Sequence, residues 1–137
     1  MNNLTVNLNK IGSRVDFACR TASRSPSEVT VLAVSKRHSV EKIAELHALG
    51  QTCFGENYVQ EALKKIQSLS GLVIEWHYIG PVQSNKTREI AQNFHWVQSV
   101  DREKILRRLS SQRPGEMQAL NVCIQVNIDR EPQKSGV

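Results

Sequence analysis

Two hydrophobic rhythms alternate along this chain. Leu4, Leu8, Ile11, Val15 and Ala18 or Cys19 recur at spacings of three and four, which predicts a helix over about residues 1–22. Ser25-Pro26-Ser27 ends that pattern. Val29–Ser35 is then a continuous apolar and β-branched run, the signature of a buried strand. Ser39 is placed to cap a helix with Val40, Ile43, Ala44 and His47 on one face and Gly50 beyond its end. The unit repeats. Thr52–Gly55 is a short strand, and Asn57 with Gln60 has the spacing of a capping box before the stripe Ala62, Leu63, Ile66 and Leu69. Val73–Ile79 is a third strand, closed by Gly80-Pro81, and a helix starting at Ser84 carries Ile90 and Ala91. Trp96–Val100 is a fourth strand, followed by a helix capped by Asp101 with Ile105, Leu106 and Leu109. A loop from Ser110 to Gln118 leads to a fifth strand, Leu120–Ile128.

Strand starts recur a little more than roughly twenty residues apart, within the usual uncertainty of boundaries. Regular strand–helix alternation implies parallel strands joined by right-handed crossovers. An open doubly wound sheet and a (β/α)8 barrel both use it. No Gly-x-Gly-x-x-Gly or Walker loop follows the first strand, which weighs against the nucleotide-binding sheet. A flavodoxin-like sheet would also finish with a helix covering its last strand, and none is present after Leu120–Ile128. The expected fold is therefore α/β: the N-terminal five strands of a (β/α)8 TIM barrel, which needs about 200 residues or more. Residues 1–137 form a single incomplete barrel domain on this reading, the N-terminal part of a larger protein.

Composition changes little in this picture. Charged residues make up 23% and the apolar class 39% of the 137 residues, as in ordinary globular domains. No apolar stretch approaches the roughly 18 residues of a membrane span. The first residues lack the basic and apolar regions of a signal peptide. Cys19, Cys53 and Cys123 are far apart, with no CxxC pair and no His/Cys cluster at zinc spacing, so no metal site is expected. A cytoplasmic, reducing location follows as an expectation. The formal charge of +5 favours anionic partners in general. The basic residues are scattered among acids, as in Asp101-Arg102-Glu103-Lys104, and aromatics are 5% of the chain, so nucleic acid and membrane surfaces are not expected partners.

Ligands of parallel α/β folds bind at the carboxyl ends of the strands. Those ends carry Ser35-Lys36, Gly55-Glu56-Asn57, His77 to Gly80 with Gln83 to Lys86, Ser99 to Asp101, and Asn127 with Lys134 and Ser135. Lys36 stands out. A lysine closing a buried strand can lose hydration, which disfavours its ammonium form and makes a better nucleophile, the chemistry of Schiff-base lysines. The same position also suits a lysine that snorkels to water. Asn57 serves equally as a helix cap or as a ligand contact. Glu56 and Asp101 are candidate paired carboxylates, although Asp101 is already explained as a cap. No acid is spaced to form an evident pair with His77. Lys86 and Lys134 suit a phosphate or surface ion pairs, and Ser35 has no placed His/Asp partner for hydrolysis.

Four blocks carry a resemblance. Ala33-Val34-Ser35-Lys36, Phe54-Gly55-Glu56-Asn57-Tyr58-Val59-Gln60-Glu61, the run from Trp76 to Lys86 (WHYIGPVQSNK), and Gln125-Val126-Asn127 with Lys134-Ser135-Gly136 are similar to the pyridoxal phosphate homeostasis proteins, in order and spacing. Val82 stands where a leucine is usual. The resemblance implies a barrel of the alanine racemase N-terminal type that binds pyridoxal 5′-phosphate. It places the Schiff-base lysine on Lys36 and a cofactor-side asparagine on Asn57, with no catalytic residue. It implies a monomeric carrier, without turnover, that buffers or delivers the cofactor to apo-enzymes depending on it. The family continues for about three more strands, with Gly-Met-Ser and Arg-Ile-Gly segments expected to bind the phosphate and the pyridine nitrogen. This chain would then hold the covalent anchor without the phosphate cradle, and bind the cofactor poorly by itself.

Two other functions stay open at this point. A fold-type III pyridoxal phosphate enzyme such as a racemase needs a second acid/base opposite Lys36 and a substrate-binding β-domain, and neither is identifiable in these residues. A basic nucleic-acid-binding module rests on the net charge alone.

Overall fold

The computed structural model describes residues 3–137. Its elements are α1 (Asn3–Thr21), a 3-10 turn (Pro26–Glu28), β1 (Ala33–Val34), α2 (Val40–Ala48), β2 (Cys53–Glu56), α3 (Val59–Ser68), β3 (Glu75–Tyr78), a second 3-10 turn (Ser84–Lys86), α4 (Thr87–Asn93), β4 (Trp96–Val100), α5 (Glu103–Gln112) and β5 (Asn121–Ile124). Met1 and Asn2, where the expected first helix would begin, lie outside the described residues.

The strands form one parallel sheet in the order β1-β2-β3-β4-β5. That order decides between the two architectures. A doubly wound sheet reverses direction at a switch point, as in the order 2-1-3-4-5, whereas a barrel adds each strand beside its predecessor. Winding in one direction places the crossover helices on one side. The core lies there: Phe54, Trp76, Tyr78 and Val97 from the strands meet Ile43, Ala62, Ile90, Ile105 and Leu109 from the helices. Phe54, Phe94, Ile43 and Ile90 are fully buried, each contributing about 1.5–3 kcal/mol of hydrophobic stabilisation. The opposite face carries Val34, Gly55 and Ile79, with Leu32 leaning on Gly55.

The outermost strands are shorter than their apolar runs. Pairing in β1 covers Ala33 and Val34 only, against Phe54 and Gly55, rather than Val29–Ser35. β5 spans Asn121–Ile124 rather than Leu120–Ile128. Each has one neighbouring strand among the described residues, so half of its backbone groups have no ladder to join. Beyond β5 the chain folds back on itself: Val137 N donates to Gln125 O and Asn127 N donates to Val137 O. The first helix is real but weakly seated. Cys19 is its buried residue, Leu4, Leu8 and Val15 are half-buried, and Ile11 and Phe17 are exposed. Gly50 follows α2 at φ 100°, the left-handed end that glycine tolerates.

Candidate functional site

Lys36 and Asn57 occupy matching positions. β1 and β2 pair Val34 with Gly55, and Lys36 and Asn57 each stand two residues further on, at the carboxyl ends. Ser35 N donates to Gly55 O and Ile79 N to Glu56 O, which carries the ladders to the edge of this site. Lys36 is exposed, which of its two expected placements is the one reaching water rather than the one losing hydration. The pairing ends at Val34, so Lys36 falls in the turn that follows rather than in the sheet. Its amine makes no hydrogen bond or ion pair with any described residue.

Asn57 is not a helix cap. The chain stays extended through Tyr58 (φ −125°, ψ 118°), so Tyr58 takes the N-cap position and α3 begins at Val59. Gln60 does not close a capping box either; its amide donates to Glu89. Asn57 is instead held by its backbone. Its carbonyl accepts from the Tyr78 hydroxyl at 3.2 Å, a proton shared with Pro81 O at 2.9 Å. Burial pushes the Tyr78 phenol above its ordinary range, which keeps it a donor. Gly80 packs on the same carbonyl so closely that a Cβ there would lie 2.2 Å from Asn57 O. The side-chain Oδ1 of Asn57 is buried without a hydrogen-bond partner among the described residues. A buried acceptor left unpaired is costly and calls for an explanation. A cavity of about 320 Å³ opens beside it, lined among others by Tyr78, Gln83 and Lys86.

Beneath Lys36 lies a buried ionic cluster. Glu56 is fully buried and Lys65 nearly so. Lys65 Nζ donates to Glu56 Oε1 (2.8 Å), Glu61 Oε1 (2.7 Å) and Ser35 O (2.8 Å). Ser35 Oγ donates to Glu56 Oε1 at 2.6 Å, and Arg37 N donates to Glu61 Oε1 at 2.6 Å. Burial pushes the Glu61 carboxyl up, but the bonds from Lys65 and the Arg37 amide and the Lys65 charge outweigh it and hold the group below its usual range. Arg37 has φ 63°, a left-handed conformation that costs a non-glycine residue about 1–2 kcal/mol. Of the two candidate carboxylates, Glu56 is paired with Lys65 and Asp101 with Arg102 at 3.0 Å, and the expected cap at Asp101 is corrected: Arg102 holds the N-cap position of α5.

Other candidates are accounted for by bonds within the chain. His77 does have an acid beside it. Glu75, two residues earlier on the same face of β3, accepts from Nε2 at 2.8 Å, and Gln98 meets Nδ1 at 2.9 Å. Cys53 Sγ bonds the same Glu75 oxygen, so the fold brings Cys53, Glu75 and His77, distant in sequence from any zinc-type spacing, to within 4.8 Å of one another through their ligand atoms, with the His77 ring stacked on Trp96. Lys86 pairs with Glu89 at 3.4 Å and Lys134 with Glu131 at 2.7 Å. Asn127 organises the last loop through Glu131 and Lys134.

Periodicity missed Lys65 as part of the site. Its signal was a lysine at helical spacing between Ala62 and Leu69, with Glu61 four residues before it.

A family model described as "Alanine racemase, N-terminal domain" matches residues 6–137. The chain belongs to this family. Curated relatives named "Pyridoxal phosphate homeostasis protein" are similar to it in sequence. One from Pseudomonas aeruginosa is 51% identical over 136 residues, covering 99% of this chain and 59% of its own. One from Escherichia coli K12 is 47% identical over 140 residues, covering 100% and 60%. PipY of Synechococcus elongatus, solved with PLP bound, superposes with a TM-score of 0.75 at 35% identity, over 90% of this chain and 57% of that one. A protein of unknown function from Bifidobacterium adolescentis shares the fold, with a TM-score of 0.83 at 23% identity. The chain thus spans about three-fifths of the length of the relatives it matches. No helix among the described residues is long and apolar enough to cross a membrane.

Proposed function

We propose that this chain supplies the lysine-bearing part of a barrel that holds pyridoxal 5′-phosphate for intracellular vitamin B6 homeostasis, as a carrier without turnover. The observation that carries the reading is the placement of Lys36. Among the described residues its amine has no partner, and it stands two residues past the last β1–β2 pair, as Asn57, whose buried Oδ1 also has no partner among those residues, does on β2. The donor set suits the cofactor. A free primary amine adds to an aldehyde; a C–N bond forms, water leaves, and a Schiff base (a lysine aldimine) remains. Asn57 offers an acceptor that is already dehydrated, so a donor on the ligand would meet it without stripping water first. The PLP-bound neighbour and the naming of the relatives support the ligand class.

On this reading the full-length protein is a cytoplasmic monomer that passes the cofactor to apo-enzymes. The family's name also admits a racemase-like activity. The test is a titration of the protein, in the length the cell makes, with pyridoxal phosphate. A visible imine band should appear with wild type and be absent in Lys36→Ala. A band of equal size in Lys36→Ala would remove the assignment. Racemisation of amino acids at roughly 1 s⁻¹ or faster would replace the carrier with an enzyme.

A further inference from the structure

We propose that Glu56, Glu61 and Lys65 act as a clamp that positions Lys36 for its reaction with an aldehyde. This rests on Lys36 being the cofactor lysine. The clamp grips both neighbours of Lys36 and leaves Lys36 itself free. On one side, Lys65 Nζ binds Ser35 O at 2.8 Å while Glu56 Oε1 takes the Ser35 hydroxyl at 2.6 Å. On the other, Glu61 Oε1 takes the Arg37 amide at 2.6 Å. Lys65 joins the two halves by bonding both carboxylates, which uses all three of its donors.

Three features point beyond simple stabilisation. The pair is buried, and a buried ion pair is weak evidence for stability, since well-packed apolar residues often serve as well or better. Its bonds converge on the backbone of residues 35 and 37, which an apolar pair could not hold. Arg37 also keeps a left-handed conformation that persists only where its surroundings over-determine it, and Glu61 holds its amide. The turn therefore aims Lys36 from a fixed base while its side chain stays unpartnered. Catalysis and covalent capture are sensitive to such aim: a displacement of about 1 Å can cost about a hundredfold in rate.

The experiment follows pyridoxal phosphate capture by borohydride trapping in the protein at its natural length, with the label on each lysine peptide quantified by mass spectrometry. Exposed Lys42 serves as an internal control. Glu61→Ala should slow labelling of Lys36 about tenfold or more and leave Lys42 unchanged. Glu61→Gln keeps an acceptor for the Arg37 amide and should recover to within about threefold of wild type. Lys65→Met should resemble Glu61→Ala; if it fails to fold, the partly exposed Glu61 decides the matter. Folded Glu61→Ala labelled at Lys36 at the wild-type rate would overturn the clamp while leaving Lys36 as the cofactor lysine. Absence of label on Lys36 in the wild type would instead overturn the reading on which the clamp rests.

Discussion

Glu56 and Lys65 form an ion pair of 2.8 Å in which the two side chains are 0% and 7% exposed. Removing one partner strands the other charge in the interior. Glu56→Ala or Lys65→Met alone should cost about 3–5 kcal/mol. Glu56→Leu combined with Lys65→Met should cost clearly less than the sum of the single changes, because neither charge is left unpaired. Urea unfolding of the single and double variants measures this. Additive losses would show that the two groups do not act as a pair.

Gly80 is the second constraint on the site. Any side chain there meets the Asn57 carbonyl, at 2.2 Å for the first carbon, and backbone cannot swing aside as a side chain can. Gly80→Ala should destabilise by about 1–3 kcal/mol or more. It should also break the Tyr78 hydroxyl contact with Asn57 O, visible as a change in the near-ultraviolet tyrosine signal. A Gly80→Ala protein with unchanged stability and spectrum would contradict the close approach.

The left-handed turn at Arg37 makes an ordered prediction. Glycine relieves the backbone strain but loosens the unfolded chain, so Arg37→Gly should lie within about 0.5 kcal/mol of wild type. A β-branched side chain tolerates that conformation least, and Arg37→Val should lose about 1–2 kcal/mol. Thermal unfolding of the two variants gives the order, and Arg37→Val as stable as Arg37→Gly would refute a positive φ.

Glu61 predicts an acid limb in stability. Its folded pKa is depressed: burial alone would raise it, but Lys65 and the Arg37 amide prevail. The folded state therefore binds fewer protons than the unfolded chain in the carboxylate range. Its contribution is fully present above the unfolded value of about 4.3 and is lost as pH falls through the folded value. Denaturation midpoints measured downward from about pH 5 should fall for wild type, and this part of the slope should flatten in Glu61→Gln.

Much of the architecture was readable from pattern. Parallel strands covered on one face by helices appear as apolar runs such as Phe54 with Gly55, and each crossover helix shows its stripe, as Ala62, Ile66 and Leu69 do. What pattern could not supply was the partner of each polar group. Asn57 and Gln60 have the spacing of a capping box, but the hold on the Asn57 carbonyl by Tyr78 and Gly80 keeps the backbone extended past the point where a cap would form. Lys65 looks like a solvated helix lysine until Glu56, from a strand nine residues earlier, is placed under it. Lys36 was legible as a candidate from its place in the β/α repeat. Pattern left its burial and its exposure both open, because the choice depends on where the β1 ladder stops.

The most direct test of the central claim is the site of covalent capture. The protein, at its natural length, is incubated with pyridoxal phosphate, reduced with borohydride, digested and mapped by mass spectrometry. One dominant phosphopyridoxyl group is expected, on Lys36, and its loss in Lys36→Ala with the fold retained. A dominant label on another lysine, undiminished in Lys36→Ala, would contradict it.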